Sequence, residues 1–462
     1  MSFKCIRTII ALSFFVLLSG KTAAFCGFYV AKADTSLFNK ASKVVMVRDD
    51  DKTILTMAND FQGDVNEFAT VIPVPEILER GQINVAEPKI LDHLDAYTAP
   101  RLVEYFDPDP CRTNLYDADT MSMRRKGVRK SMLGSAAAKK NYGVKIEAKY
   151  SVGEYDILIL SAKESGGLLD WLTDNGYKVP SSAKPVLKSY IKQGLKFFVA
   201  KVNLEKHSKL GYTYLRPLQV AYQSKKFTLP IRLGMANAKD GEDQELFVFA
   251  LTKKGRVESV NYRTVEIPSN VEIPPYVKKS EVFSKFYKSM FDTAARREDN
   301  KVVFMEYAWD MGWCDPCAAD PLSRKELKSL GVFWAGEERT PSQVRSSMRP
   351  PRGNGAVNVF VTRLHVRYNK ETFPDDIRFQ VTSDKKNFQG RYILRHPFKG
   401  NAECAAADKY QDQLQERQEK ENTTLAHLTG WDINEIRKDR GMDVKKEGVT
   451  TEKKKWWQKL WN

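Results

Sequence analysis

An α+β fold is predicted, with mixed, mostly antiparallel strands, a few amphipathic helices and disulfide staples. Three observations carry this. Short β-type runs closed by turn residues outnumber helical stretches, strong helical periodicity is concentrated in residues 281–297, and five cysteines follow an N-terminal leader. With 462 residues, 42% apolar and 11% aromatic, the chain can bury two or three cores, which excludes a disordered or collagen-like polymer.

The leader is residues 9–18, an apolar run broken only by Ser13, with Lys4 and Arg7 before it and Thr22-Ala23-Ala24 after it. This is the three-part layout of a secretory signal peptide, so cleavage near Ala24 and export to the periplasm or cell exterior are expected. Phe25 is too bulky for lipoprotein processing before Cys26, and no later stretch reaches the roughly 18 apolar residues of a membrane span.

Residues 44–47 and 53–57 read as strands joined by a turn at 48–52, and 68–74 as a third, together a small β meander. The stretch 91–106 is ambiguous. Asp107-Pro108-Asp109-Pro110-Cys111 then stops regular structure, since each proline removes a donor and restrains its predecessor. Next come a strand at 155–160, helices at 167–175 and 183–193, and a strand at 196–203. Further β patterns lie at 213–223, 227–235 and 245–267, the last folded about Lys253-Lys254-Gly255. In 281–297, Val282, Phe283, Phe286, Tyr287, Met290, Phe291 and Ala294 recur on one helical face, and an apolar strand at 302–307 follows. Residues 336–356 read as a long loop. Val357, Val359 and Val361 then alternate, while Leu364, Val366 and Tyr368 alternate in the opposite phase, so a bulge is expected at Thr362-Arg363. A strand at 392–395 and a polar helix at 405–420 complete the pattern. The regions are thus a signal peptide (1–24), an N-terminal β-rich region (25–120), a basic linker or insert (121–140), an α+β region (141–275), a C-terminal α+β region (276–420) and a basic, Trp-rich tail (421–462).

The formal charge is +16, and removing Lys4, Arg7 and Lys21 with the leader leaves +13. Residues 121–140 hold seven basic and no acidic side chains, and residues 444–462 hold six basic and two acidic. These two stretches carry nearly all the excess, so no general surface for nucleic acid is expected.

The mature start FCGFYVA (25–31), YTAPRLVEYFDPDPC (97–111), LKFFVAKVNL (195–204), LPIRLGM (229–235), YAWDMGWCDPCAADPLS (307–323) and FQGRYILRHPFKG (388–400) resemble a bacterial family of exported proteins known as domain of unknown function 2330. The resemblance runs from about residue 25 to about residue 410. It implies a bacterial envelope or secreted setting and no defined activity or substrate; the insert at 121–140 and the tail beyond about 420 have no place on its pattern.

The disulfide candidates are Cys26, Cys111, Cys314, Cys317 and Cys404, an odd set in a disulfide-permissive compartment. Two bridges and one free thiol are the simplest arrangement. A Cys26–Cys111 bridge would staple the N-terminal β region, although spacing alone selects no pairing. Trp313-Cys314-Asp315-Pro316-Cys317 is similar to the thioredoxin motif, with Cys314 as nucleophile and Cys317 as resolving thiol. Asp315 opposes ionisation of its neighbour, however, and Pro321 falls where a supporting helix would run, so a structural staple is favoured. His93, His207, His365, His396 and His427 stand singly, and neither the Asp49-Asp50-Asp51 run nor Asp107 with Asp109 has a calcium-loop spacing, so no metal or other cofactor is expected. Ser181-Ser182-Ala183-Lys184 matches S-x-x-K, a chance occurrence in so lysine-rich a chain. In the tail, Trp456, Trp457, Leu460 and Trp461 share a helical face amid Lys453, Lys454, Lys455 and Lys459.

The sequence therefore predicts an exported bacterial protein of unknown function, a non-catalytic envelope or interaction protein with an envelope or extracellular protein as partner and no nucleic acid. Its alternatives are a thiol–disulfide oxidoreductase using Cys314 and Cys317, and a peripheral protein that meets an anionic membrane surface through Lys453, Lys454, Lys455, Trp456, Trp457, Lys459 and Trp461. Oligomeric state is left open.

Overall fold

The computed structural model describes residues 28–31, 38–62, 68–111, 144–175, 182–210, 215–237, 242–313, 320–336 and 357–442. The chain opens with strands β1 (Phe28–Ala31), β2 (Phe38–Asp49), β3 (Lys52–Gln62), β4 (Phe68–Val74) and β5 (Ile83–Val85), helix α1 (Pro88–Thr98) and β6 (Arg101–Phe106). There follow β7 (Val144–Val152), β8 (Tyr155–Ala162), α2 (Ser165–Asp174), α3 (Ala183–Lys192), β9 (Lys196–Val202) and α4 (Leu204–Leu210). Six strands come next: β10 (Leu218–Gln223), β11 (Thr228–Leu229), β12 (Gln244–Thr252), β13 (Val257–Ser259), β14 (Arg263–Glu266) and β15 (Val271–Glu272). The last part holds α5 (Ser280–Arg297), β16 (Val302–Asp310), α6 (Arg324–Ser329), β17 (Phe360–Tyr368), β18 (Ile377–Val381), β19 (Phe388–Gln389), β20 (Arg391–His396), α7 (Ala405–Thr429) and α8 (Ile433–Asp439).

The fold is α+β and its strand pairs are mostly antiparallel. The large sheet runs β14-β16-β17-β12-β2-β3-β10-β5, with β19 added to β16; a second sheet runs β1-β4-β9-β8-β7, and two small sheets run β11-β18-β13 and β15-β20-β6. The large sheet takes β2, β3 and β5 from the N-terminal β-rich region, β10, β12 and β14 from the α+β region at 141–275 and β16, β17 and β19 from the C-terminal α+β region, so these regions interleave in one sheet. Four layers result. Helices α2 and α3 cover one face of the second sheet through Leu168, Leu172, Leu187 and Tyr190 on Val71, Leu160 and Val199. Its other face, with Ile72, Ile159 and Phe198, shares a core with Val44, Met46, Leu55 and Val248 of the large sheet. The outer face of the large sheet, with Val45, Val47, Phe249 and Val361, is covered by Leu91 and Leu94 of α1, Leu327 of α6 and Trp334.

Several expectations are corrected here. The meander is only a β2–β3 hairpin: β3 pairs next with β10, and β4 joins the second sheet beside β9, because Val71 and Ile72 both need cover and only an inner strand provides it. The ambiguous stretch splits into α1 and β6 at Ala99, which Pro100 holds extended. The β pattern at 227–235 shrinks to β11, since Pro230 has no donor to continue a ladder. In the β12–β13 turn a Cβ on Gly255 would lie 2.3 Å from the Asp384 carbonyl oxygen, a backbone approach that only glycine allows. Finally, β17 is regular against β12 from Phe360 to Tyr368, and the bulge lies in its other neighbour, β16, between Met305 and Tyr307. The apparent slip has another cause: both faces of β17 are buried, one lined by Leu364, Val366 and Tyr368, the other turning from Val361 to Arg363 and His365.

Helices α7 and α8 carry the folded body past residue 420, burying Leu425, Leu428 and Ile436.

Candidate functional site

A linked group of titratable side chains, its centre fully buried, lies on the outer face of the large sheet, where β16, β17 and β12 run side by side under α1 and α5. Alternation along β17 brings Arg363, His365 and Arg367 to that face. The bulge in β16 adds Glu306 beside them as the extra residue. Gly390 donates its N–H to the Glu306 carbonyl oxygen at 2.8 Å, which satisfies the bulged backbone.

Glu306 is fully buried. Its Oε2 accepts from Arg363 Nε at 2.6 Å, and its Oε1 accepts from His365 Nδ1 at 2.7 Å and from the Tyr287 hydroxyl of α5. Arg363 Nη1 also donates to Asp95 Oδ1 of α1 at 2.5 Å, and Lys43 of β2 meets Asp95 Oδ2 at 2.6 Å. The His365 ring is stacked between Phe291, centroids 3.7 Å apart, and Phe247 at 4.1 Å, and its Nε2 points to Glu245 Oε2 across 3.8 Å. Arg367 donates to Asp292 Oδ1 at 2.7 Å and also to Glu245.

Four carboxylates (Asp95, Glu245, Asp292, Glu306) therefore face four basic side chains (Lys43, Arg363, His365, Arg367), and the group is neutral when His365 is protonated. Burial alone would raise the Glu306 pKa, but the charges of Arg363 and His365 with their hydrogen bonds outweigh it and hold Glu306 down to about 2. Burial likewise opposes charge on His365, and Glu306 together with Glu245 overcomes it, raising the imidazole above its ordinary value. The Tyr287 hydroxyl is pushed well up by burial and by the Glu306 charge, so it stays a donor. Every charge at the centre is answered by a neighbour, and Glu306, Arg363 and His365 are closed from solvent. This arrangement ties β2, β12, β16 and β17 to α1 and α5.

A second group joins α1 to α6. His93 Nδ1 lies 2.8 Å from Glu326 Oε1, its Nε2 lies 2.9 Å from the Asp320 carbonyl oxygen, and Glu326 Oε2 accepts from Ser323 Oγ at 2.6 Å. Ser323 caps α6, with Glu326 as the reciprocal partner. The carboxylate stands between serine and histidine, so the hydroxyl donates to Glu326 and not to the imidazole, which is an arrangement of a helix cap and not that of a serine–histidine pair.

Among the predicted site residues, Cys111 and Cys404 form a disulfide with Cα atoms 5.9 Å apart, a pairing that leaves no place for the Cys26–Cys111 alternative. The reason is topological: β6, which leads to Cys111, pairs in parallel with β20, which leads to Cys404, so both cysteines leave the same end of the small sheet. Beside the bridge Asp107 accepts from Arg417 Nη2 at 2.6 Å and from the Tyr410 hydroxyl at 2.7 Å. Asp49 and Asp50 are likewise engaged, by Lys253 and Lys254. His396 lies 2.8 Å from Glu104, His207 is on α4 and His427 near the end of α7. Lys184 is exposed on the first turn of α3, and Ser182 donates to the Ala236 carbonyl oxygen at 2.9 Å. Cys26, Cys314, Cys317, Ser181 and the tail residues Lys453, Lys454, Lys455, Trp456, Trp457, Lys459 and Trp461 lie outside the described residues. Sequence reasoning missed Glu306, Arg363 and Arg367. The available trace was an Arg-x-His-x-Arg alternation inside an otherwise apolar strand, with a lone glutamate in another.

A family model described as an uncharacterized protein conserved in bacteria, domain of unknown function 2330, matches residues 20–380. The match stops before the 388–400 motif, β20 and the two C-terminal helices. No curated protein and no solved structure matches the chain.

Proposed function

The chain belongs to this bacterial family, and from that premise we propose that it is an exported, non-catalytic envelope or interaction protein. The observation that carries the reading is the Cys111–Cys404 disulfide, which joins positions 293 residues apart. Structural disulfides persist in oxidising compartments and are rare in a bacterial cytosol, so such a bridge suits a protein that folds after export. The leader at 1–24 supports the same route. The closed, neutral cluster around Glu306 fits a structural role for those residues.

The reading is tested by fractionating the producing bacterium, blocking free thiols at lysis, and mapping termini and disulfides by mass spectrometry without reductant. The expected result is a periplasmic or secreted chain starting near Phe25 with Cys111 joined to Cys404. A full-length cytosolic chain carrying both cysteines as blocked thiols overturns it.

A further inference from the structure

At one end of the large sheet, the β2–β3 turn, the β12–β13 turn, the segment after β10 and the end of β18 surround a hollow of about 260 Å3 whose charged lining is Arg48, Asp49, Asp50, Lys225, Lys253 and Lys254. The two carboxylates are spent inside it: Lys253 donates to Asp49 at 2.8 Å and Lys254 to Asp50 at 2.7 Å. Arg48 is buried and donates to Thr53 Oγ1 at 2.6 Å and to the Ser224 carbonyl oxygen at 2.9 Å. Asp51, the third acid of the turn, accepts from Gln223 at 2.7 Å. Lys225 and its neighbours Lys52 and Lys226 are left exposed, with no carboxylate partner among the described residues. Phe333, 40% exposed, stands beside Lys52 and Lys253, whose ammonium groups lie 5.8 Å and 6.0 Å from its ring centroid.

We propose that this end of the sheet docks on an anionic membrane surface, with Phe333 entering the headgroup boundary and Lys52, Lys225 and Lys226 pairing with lipid phosphates. The charge excess is cationic and lies in flexible side chains whose stems can lie along apolar surface while their heads stay wet. An exposed ring beside Lys52 at this end of the sheet distinguishes lipid from a soluble polyanion: a polymer of charges answers the lysines alone, whereas a bilayer interface also takes the ring. These residues are distinct from the C-terminal tail. The proposal deepens the envelope reading and depends on it only for where the surface meets a membrane.

The test is co-sedimentation of the purified full-length chain with phosphatidylcholine vesicles, with and without phosphatidylglycerol, near physiological salt. Binding is expected only when phosphatidylglycerol is present. A Lys52→Glu, Lys225→Glu, Lys226→Glu variant should bind at least about tenfold more weakly, in line with the attraction of each basic side chain to an anionic leaflet. Phe333→Ser should weaken vesicle binding and leave binding to soluble dextran sulfate unchanged. Thermal melts and an intact Cys111–Cys404 bridge establish that the variants fold. The proposal is overturned if the native chain ignores phosphatidylglycerol or the triple variant binds like the native chain. It is also overturned if Phe333→Ser has no effect on vesicles, which would make the site a polyanion surface, or if deleting 453–462 abolishes binding that the triple variant retains. Purified protein is used, so vesicle binding and the export test succeed or fail separately.

Discussion

The two ends of the large sheet treat charge in opposite ways. Toward the Glu245 and Arg367 end, under α1 and α5, four carboxylates and four basic side chains close on one another around the fully buried Glu306. At the end marked by the β2–β3 and β12–β13 turns, paired lysines and aspartates sit beside three exposed lysines that have no carboxylate partner among the described residues. The difference follows from solvation. A buried charge that lacks a counter-charge costs several kcal/mol or changes its protonation, so the interior must balance residue by residue. Water hydrates an excess at the rim, which leaves those side chains available to a partner.

The largest effect is expected from breaking the balance at its centre. Glu306→Leu removes the buried carboxylate shared by Arg363, His365 and Tyr287 and leaves Arg363 with Asp95 and His365 with the more distant Glu245 as their remaining counter-charges, so unfolding free energy in urea should fall by about 3–5 kcal/mol. Replacing Glu306, Arg363 and His365 together by Leu, Met and Phe should restore most of that loss, because no charge is then left buried and unpaired. A single substitution costing under about 1 kcal/mol, the usual value of an exposed pair, would show that this end behaves like the other.

A smaller, graded version of the same break comes from pH. Glu306 has a depressed pKa, so its stabilisation is complete above the ordinary value of 4.5 and is lost as pH falls toward about 2, a change on the order of 3 kcal/mol. His365 is raised, so its contribution is complete below the ordinary 6.5 and is lost as pH rises through the folded value. The groups that set it are Glu306 on β16, Glu245 on β12, Arg363 and Arg367 on its own strand and, on α5, Tyr287 and Asp292 acting through Glu306 and Arg367. The cluster should therefore contribute most between about pH 4.5 and 6.5. Urea melts across pH should show the acid limb shallower in Glu306→Gln than in the native chain. Parallel profiles would mean that other carboxylates, such as Glu245, carry the limb.

Much of this architecture was legible because local signals agreed with tertiary demands. The buried face of α5 follows the Phe286, Met290, Phe291 and Ala294 spacing, and β8, α3 and β9 fall close to their predicted ranges. The charged cluster was not legible, because its members come from residues 43, 95, 245, 292, 306 and 363–367 and only strand order brings them together. Read alone, Arg363 and His365 look like a break in valine alternation and so like a bulge, whereas they are the polar face of a strand buried on both sides. The disulfide was hidden for a similar reason: 293 residues separate its cysteines, and the parallel pairing of β6 with β20 makes them neighbours.

The exposed Lys254–Asp50 pair is expected to contribute almost nothing to stability. Lys254 donates to Asp50 at 2.7 Å, much the same length as the inner His365–Glu306 bond, yet its two side chains are 61% and 66% exposed. Hydrogen bonding to Lys254 lowers the Asp50 pKa, but solvent screens an exposed pair and ordering two side chains offsets much of the attraction. Lys254→Ala should therefore change unfolding free energy by no more than about 0.5 kcal/mol, against several for Glu306→Leu. Equal lengths with unequal consequences would locate the difference in burial, since geometry is matched. A loss at Lys254 as large as at Glu306 would mean that the rim is a structural element, with its lysines held in place and not free to meet a membrane.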